Sequence, residues 1–381
     1  MSLPCKSASE RQRCAASCAL CWYTGERATT ATNARSSASR LGRAHGSRLT
    51  ADTSCRERTA APGATSAPDL AARRVPALES RPVVVDVVRP AGPYSLRLSA
   101  RHGSDATRSV RDGVLTAMLP CDGGLEQSSA WQLPDGSIRI RAASEEGLRR
   151  MRFVLALDDD HSEFLRRFAD DPLVGRATRH LRGMRPLRTA TVAHALLRAV
   201  AGQLITAREA RAIERRVVRS VTRRLGELNA PPTAAELGAL APAQLCRLGL
   251  GARRAATLVR LCRGSDLELL KTLPTEIAAE RLERERGLGP WSAGVICLQG
   301  LGRFERGLAR DLGLVKLASA LWGRRVEAEE TDALLAPYGE WAGIASVYLL
   351  AGYASGLVGL HHENRDPRYR QDRRVAPRPA A

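Results

Sequence analysis

Gly287-Leu288-Gly289-Pro290-Trp291-Ser292-Ala293 is the stretch whose reading decides the fold. A helical pattern that begins near Pro274 runs out between Leu282 and Arg286. Gly287 and Gly289 then offer backbone angles that other residues reach only with strain, and Pro290 suits the first position of a new helix. The pattern predicts two helices joined by a very short hairpin. The second helix opens with amides that lack carbonyl partners and with the positive end of its dipole, so the hairpin is able to hold a phosphate without a charged side chain. A phosphate held by main chain carries no base information, and such a contact positions a protein on a nucleic-acid backbone. A Gly-x-Gly-Pro turn between helices is also a common plain connector, and the turn alone does not separate the two readings.

Residues further along add to it. Ala293, Val295, Ile296, Leu298 and Leu301 continue as a buried helix, and a lone acid, Asp311, follows Trp291 by twenty residues in Arg310-Asp311-Leu312-Gly313-Leu314. With these residues the segment resembles the helix-hairpin-helix (HhH-GPD) DNA glycosylase superfamily, and most of all its DNA-3-methyladenine glycosylase II, or AlkA-like, branch. The resemblance reaches back through Leu187 to Ile205, which is similar to the family's helix ending in Gly-Gln-Leu-Ile, and covers residues 170–355. A weaker similarity to that branch's small sheet domain covers residues 82–157. Two departures bear on substrate range: Ala342 follows Trp341 where relatives commonly have Arg, and Val295 stands where some relatives place a pocket aromatic.

The resemblance implies excision of alkylated purines of the 3-methyladenine and 7-methylguanine type, from double-stranded DNA containing damaged bases. Breaking an N-glycosidic bond builds positive charge on the sugar, and a fixed carboxylate in a water-poor site stabilises it. By resemblance Asp311 is that catalytic acid; its plain structural role would be to cap the helix Leu312 to Trp322. Trp291 offers a face for an electron-poor alkylated base, and Tyr348 is a second pocket candidate that could equally be a core tyrosine. Leu204 matches the family's wedge, which fills the gap left by an extruded base, although a Leu after a helix is often core. Gln203, Gly287, Leu288, Gly289 and Ser292 complete the implied DNA-binding set. Relatives that also cut the strand place a Schiff-base Lys where this chain has Trp291, which implies a monofunctional enzyme. No Cys follows Trp322, so the iron-sulfur cluster of other branches has no ligands there. No cofactor is implied, with room for a monovalent cation at the hairpin. A glycosylase for deaminated or oxidised bases, a non-catalytic hairpin protein that binds DNA, and a plain helical scaffold are the competing readings.

Composition agrees. The 381 residues predict two or three domains, 44% apolar content permits a sizeable core, and a net charge of +19 favours a polyanionic partner. Nearly all basic residues are Arg; the lysines are Lys6, Lys271 and Lys316. The expected fold is mainly α: a two-lobed helical core preceded by a small α+β antiparallel-sheet domain. Residues 1–81 are Ser, Ala, Thr and Arg-rich with no sustained period and read as disordered. Cys5, Cys14, Cys18, Cys21 and Cys55 lie there, with no fourth ligand at zinc spacing. Residues 82–158 form the sheet domain, with strands at Val84 to Val88, Tyr94 to Leu98, Val114 to Leu119, Ile138 to Ala142 and Met151 to Leu157, a helix near Glu145 to Arg150, and a hairpin turn at Asp135-Gly136. Residues 159–360 form the helical domain and 361–381 a charged tail, where His361, His362 and Glu363 read as solvated. Asp158-Asp159-Asp160 reads as an acidic helix start rather than a metal cluster. No stretch approaches the roughly 20 apolar residues of a membrane span, and no secretory signal is seen, which predicts a soluble, cytoplasmic protein; it is expected to be a monomer.

Overall fold

A computed structural model describes residues 83–264 and 266–358. The N-terminal cysteines and the charged tail with His361, His362 and Glu363 lie outside the described residues.

The first unit is a five-stranded antiparallel sheet in the order β1-β5-β4-β3-β2. Its strands are β1 (Val84–Val88), β2 (Arg108–Arg111), β3 (Val114–Cys121), β4 (Gly124–Gln132) and β5 (Ile138–Ala142), with a short helix α1 (Leu96–Ser99) between β1 and β2. The β4–β5 turn at Asp135-Gly136 forms as expected, with Gly136 at φ 86° and the Asp135 carboxylate accepting from the Ser137 amide. Helix α2 (Glu145–Leu155) covers one face, where Leu148, Met151, Val154 and Leu155 meet Leu115, Leu119, Ile138 and Ile140.

Two expected strands are helical instead. Met151 to Leu157 lies mostly in α2, because its apolar residues are the buried ridge of a helix capped at Ser144 rather than a strand's alternation. Tyr94 to Leu98 contains the start of α1, capped by the Ser95 hydroxyl accepting from the Leu98 amide. Strand β4 carries no apolar alternation: its inward Glu126 is buried and accepts from the Ser128 and Ser144 hydroxyls.

The rest is helical: α3 (Ser162–Arg167), α4 (Gly175–His180), α5 (Val192–Gly202), α6 (Ala207–Val221), α7 (Ala234–Gly238), α8 (Pro242–Arg247), α9 (Ala252–Gly264), α10 (Thr275–Glu283), α11 (Pro290–Ile296), α12 (Leu312–Trp322), α13 (Thr331–Leu335) and α14 (Ala342–Ala354). One apolar core runs through these helices. Helix α5 is buried on every side and packs against α6, α9 and α11, whereas α14 packs against α4 and α12. Helix α11 passes into a π-helical turn, Cys297–Leu301, that ends at Gly302 with φ 71°. Of the three acids before α3, Asp158 pairs with Arg152, Asp159 with Arg188, and Asp160 accepts from the Ser162 amide. No helix among the described residues is long and apolar enough to cross a membrane.

Candidate active site

Three loops converge: the one after α5, the hairpin between α10 and α11, and the one before α12. Helix α5 ends at Gly202, where a Cβ would sit 2.7 Å from Cη2 of Trp291, so glycine lets the indole lie against the helix end. Two residues on, Leu204 has φ 58° and is 85% exposed. A leucine in left-handed backbone costs on the order of 1–2 kcal/mol, and one projecting into water gains nothing from burial. Strain and exposure together mark a residue shaped for something outside the chain. Gln203 ties this loop to the hairpin, its Nε2 donating to the Gly287 carbonyl at 2.9 Å and to Ser292 Oγ at 3.0 Å.

The hairpin needs Gly287 twice over: its φ is 96°, and a Cβ there would meet Thr257 Oγ1 at 2.5 Å. Gly289 differs from expectation. Its φ of −135° and ψ of −178° are extended backbone open to any residue, and a Cβ would meet nothing within 4 Å. The fold does not demand glycine there; its absent side chain leaves the main chain open to close approach. Pro290 takes the first helical position as anticipated. Leu288 and Ser292 are buried, so their side chains serve the interior, and Ser292 Oγ is occupied by Gln203.

Asp311 is 1% exposed. Arg310, at φ 66° with its amide donating to Thr331 Oγ1, turns the chain into the site. One Asp311 oxygen accepts from the Gly313 amide at 2.7 Å, capping α12, and the other accepts from Trp291 Nε1 at 2.8 Å. One carboxylate thus both caps α12 and anchors the indole of Trp291. Burial pushes the Asp311 carboxyl up to about 6, against the lowering pull of the Trp291 N–H and of the Gly313 and Leu314 amides. No cation is among these influences. Its negative charge is uncompensated, and such a charge in a water-poor site stabilises positive charge developing beside it.

Tyr348 stands apart from this cluster. It is 1% exposed, packs on Phe164 with ring centroids 5.3 Å apart, and has its hydroxyl within reach of the Leu181 and Met184 carbonyls. That geometry places it in the core.

Asp105, His194 and Glu214 bring ligand-type atoms within 4.8 Å of one another, a grouping the sequence did not reveal. Arg198 occupies the space a cation would take, its guanidinium 2.8 Å from Asp105 and 2.7 Å from Glu214. The group is a buried ion network between the sheet unit and α5.

No family model matches the chain, and no curated protein matches it. Solved structures do. A 3-methyladenine DNA glycosylase from Archaeoglobus fulgidus is 21% identical, with a TM-score of 0.62 over 71% of this chain and 98% of its own. The Clostridium acetobutylicum 8-oxoguanine glycosylase/lyase, solved with double-stranded DNA, is 18% identical, with a TM-score of 0.59 over 72% of this chain and 98% of its own. At such identities the likeness is one of architecture, and by it the chain has the fold of the helix-hairpin-helix DNA glycosylases.

Proposed function

We propose that the protein is a monofunctional DNA glycosylase that removes alkylated purines of the 3-methyladenine and 7-methylguanine type from double-stranded DNA. The observation that carries this reading is the buried, uncompensated Asp311 carboxylate held by the indole of Trp291, beside an exposed, strained Leu204 and an open hairpin. The hairpin main chain at Gly289 takes a phosphate, Leu204 enters the stack, and the damaged base swings toward the face of Trp291. The C1′–N bond breaks with its electron pair leaving on the base. Asp311 stabilises the cationic sugar, and water adds to C1′ while its proton passes to solvent or to the carboxylate. A cationic alkylated base is already a good leaving group, so one acid suffices. Trp291 has no amine, which supports hydrolysis without strand cleavage. The fold alone does not favour alkylated over oxidised bases, since neighbours of both names share it.

The test is base release from alkylated duplex, quantified by chromatography, for the parent and Asp311→Asn. The parent is expected to release methylated purines without cutting the strand, and the variant to lose on the order of 10²–10³ in rate. Release of oxidised or deaminated bases instead would move the substrate assignment, and tight DNA binding without release would sink the enzymatic reading.

A further inference from the structure

Helix α9 presents Arg254, Thr257 and Arg260 at spacings of three residues, along one ridge. All three touch loops of the candidate site. Arg254 Nη1 donates to the Ala201 carbonyl at 3.1 Å and to the Gln203 carbonyl at 2.9 Å, two of the last three carbonyls before Leu204. Thr257 lies against Gly287, so closely that a Cβ there would be excluded. Arg260 donates to the Arg286 carbonyl at 2.7 Å and pairs with Glu285 at 2.6 Å. One helix therefore backs both the projecting leucine and the hairpin.

We propose that Arg254 is a positioning residue that holds Leu204 in its strained, outward conformation at a fixed distance from the hairpin, so that gripping the DNA backbone and entering the base stack occur as one event. The assignment rests on the glycosylase reading for its chemistry but not for its geometry. Left-handed backbone at a leucine persists only where surroundings over-determine it. A guanidinium is suited to this: its rigid plane holds Nη1 between the two carbonyls, whereas an ammonium on a flexible stem fixes a loop less well. Arg253, the exposed neighbour, has none of these contacts among the described residues and serves as a control of equal charge.

The experiment compares the parent, Arg254→Ala, Arg254→Lys, Arg253→Ala, Leu204→Ala and the double variant Leu204→Ala/Arg254→Ala. The substrates are duplexes with one 7-methylguanine opposite either cytosine or a tetrahydrofuran abasic analogue. In the second duplex the base is already unpaired, so extrusion needs less help. Losing a charge-assisted loop clamp should lower kcat/KM of Arg254→Ala about tenfold on the paired substrate and less than about twofold on the unpaired one. Arg254→Lys should fall between, Arg253→Ala should keep the parent's ratio, and the double variant should be no slower than Leu204→Ala. Equal losses on both substrates, or additive effects in the double variant, would overturn the assignment.

A second readout does not need chemistry. With 2-aminopurine beside a tetrahydrofuran site, parent binding should raise fluorescence by unstacking, and Leu204→Ala and Arg254→Ala should not. If the parent releases no base from either duplex yet shows this pattern, the glycosylase reading fails while Arg254 keeps its role. An equal fluorescence rise in Arg254→Ala and parent removes that role whatever the release data show.

Discussion

Asp311 binds its proton near pH 6 in the folded protein, against an ordinary value of 3.8, because burial disfavours the charged form more than its three hydrogen bonds favour it. Reaction and stability therefore depend on pH with opposite signs. In the role proposed for Asp311 the carboxylate is the reactive form, so kcat/KM for base release should fall on the acid side with a midpoint near pH 6; a profile flat to pH 5 would refute the assignment. The folded state keeps the proton between pH 3.8 and 6 while the unfolded chain releases it, so this residue's contribution to stability declines as pH rises through that window. Asp311→Asn removes the decline, and denaturation at pH 4 and 7.5 should show the variant gaining about 2–3 kcal/mol on the parent at the higher pH. Leu204 supplies the companion case. Asparagine tolerates left-handed backbone, so Leu204→Asn should raise stability by about 0.5–1 kcal/mol in thermal unfolding while slowing release from paired duplex. Unchanged or reduced stability would mean that the backbone at Leu204 holds no strain.

At the level of elements, the hairpin separates what folding needs from what binding needs. Gly287→Ala meets both a positive φ and Thr257, and should cost about 1–3 kcal/mol in unfolding experiments. Gly289→Ala meets neither; its melting temperature should match the parent's, and its affinity for duplex DNA in a titration should drop. If both variants lose stability alike, the opening at Gly289 serves the fold alone. The contrast also shows what the residues disclose unaided. Two glycines and a proline suffice to mark the hairpin, and Asp311 and Trp291 stand out only through their twenty-residue spacing and the family resemblance, since Gln299, Arg303, Phe304, Glu305, Arg306 and Arg310 also lie between them. Gly287 and Gly289 look alike in the chain, however, and only the folded backbone, with φ 96° against −135°, and the Thr257 side chain from α9 distinguish them. Arg254 was equally hidden, since the carbonyls it holds leave no mark on side-chain pattern. Helix α2 was misjudged at Met151 to Leu157, where a helix ridge and a buried strand share the same composition. For Tyr348 residue type left pocket and core both open, because a tyrosine's hydroxyl finds backbone carbonyls as readily as ligand.

Across the whole molecule, a buried ion network joins the sheet to the helices, alongside apolar contacts such as Leu187 in the sheet's core and Ala106 in the helical one. Burial raises the Asp105 carboxyl, and Arg108, Arg198, His194 and the Thr107 hydroxyl more than reverse it, leaving it well below its ordinary range. Arg198, on α5, bonds Asp105, Glu214 and the Gln299 side chain at once. Arg198→Met takes the shared cation from two buried carboxylates, leaving Asp105 to Arg108 and Glu214 to His194, and should cost about 3–5 kcal/mol in denaturant unfolding; a loss under 1 kcal/mol would show that the network is solvated. Leu204, the proposed wedge beyond the C-terminal end of α5, has a further consequence for how such a molecule would search DNA. With leucine and hairpin mounted on one stiff support, the push on the stack accompanies every landing on the polymer, intact or damaged. Sampling is then indiscriminate, and the choice of target passes to the duplex itself: the weakest pair yields first, and the face of Trp291 only ratifies or rejects what has already opened.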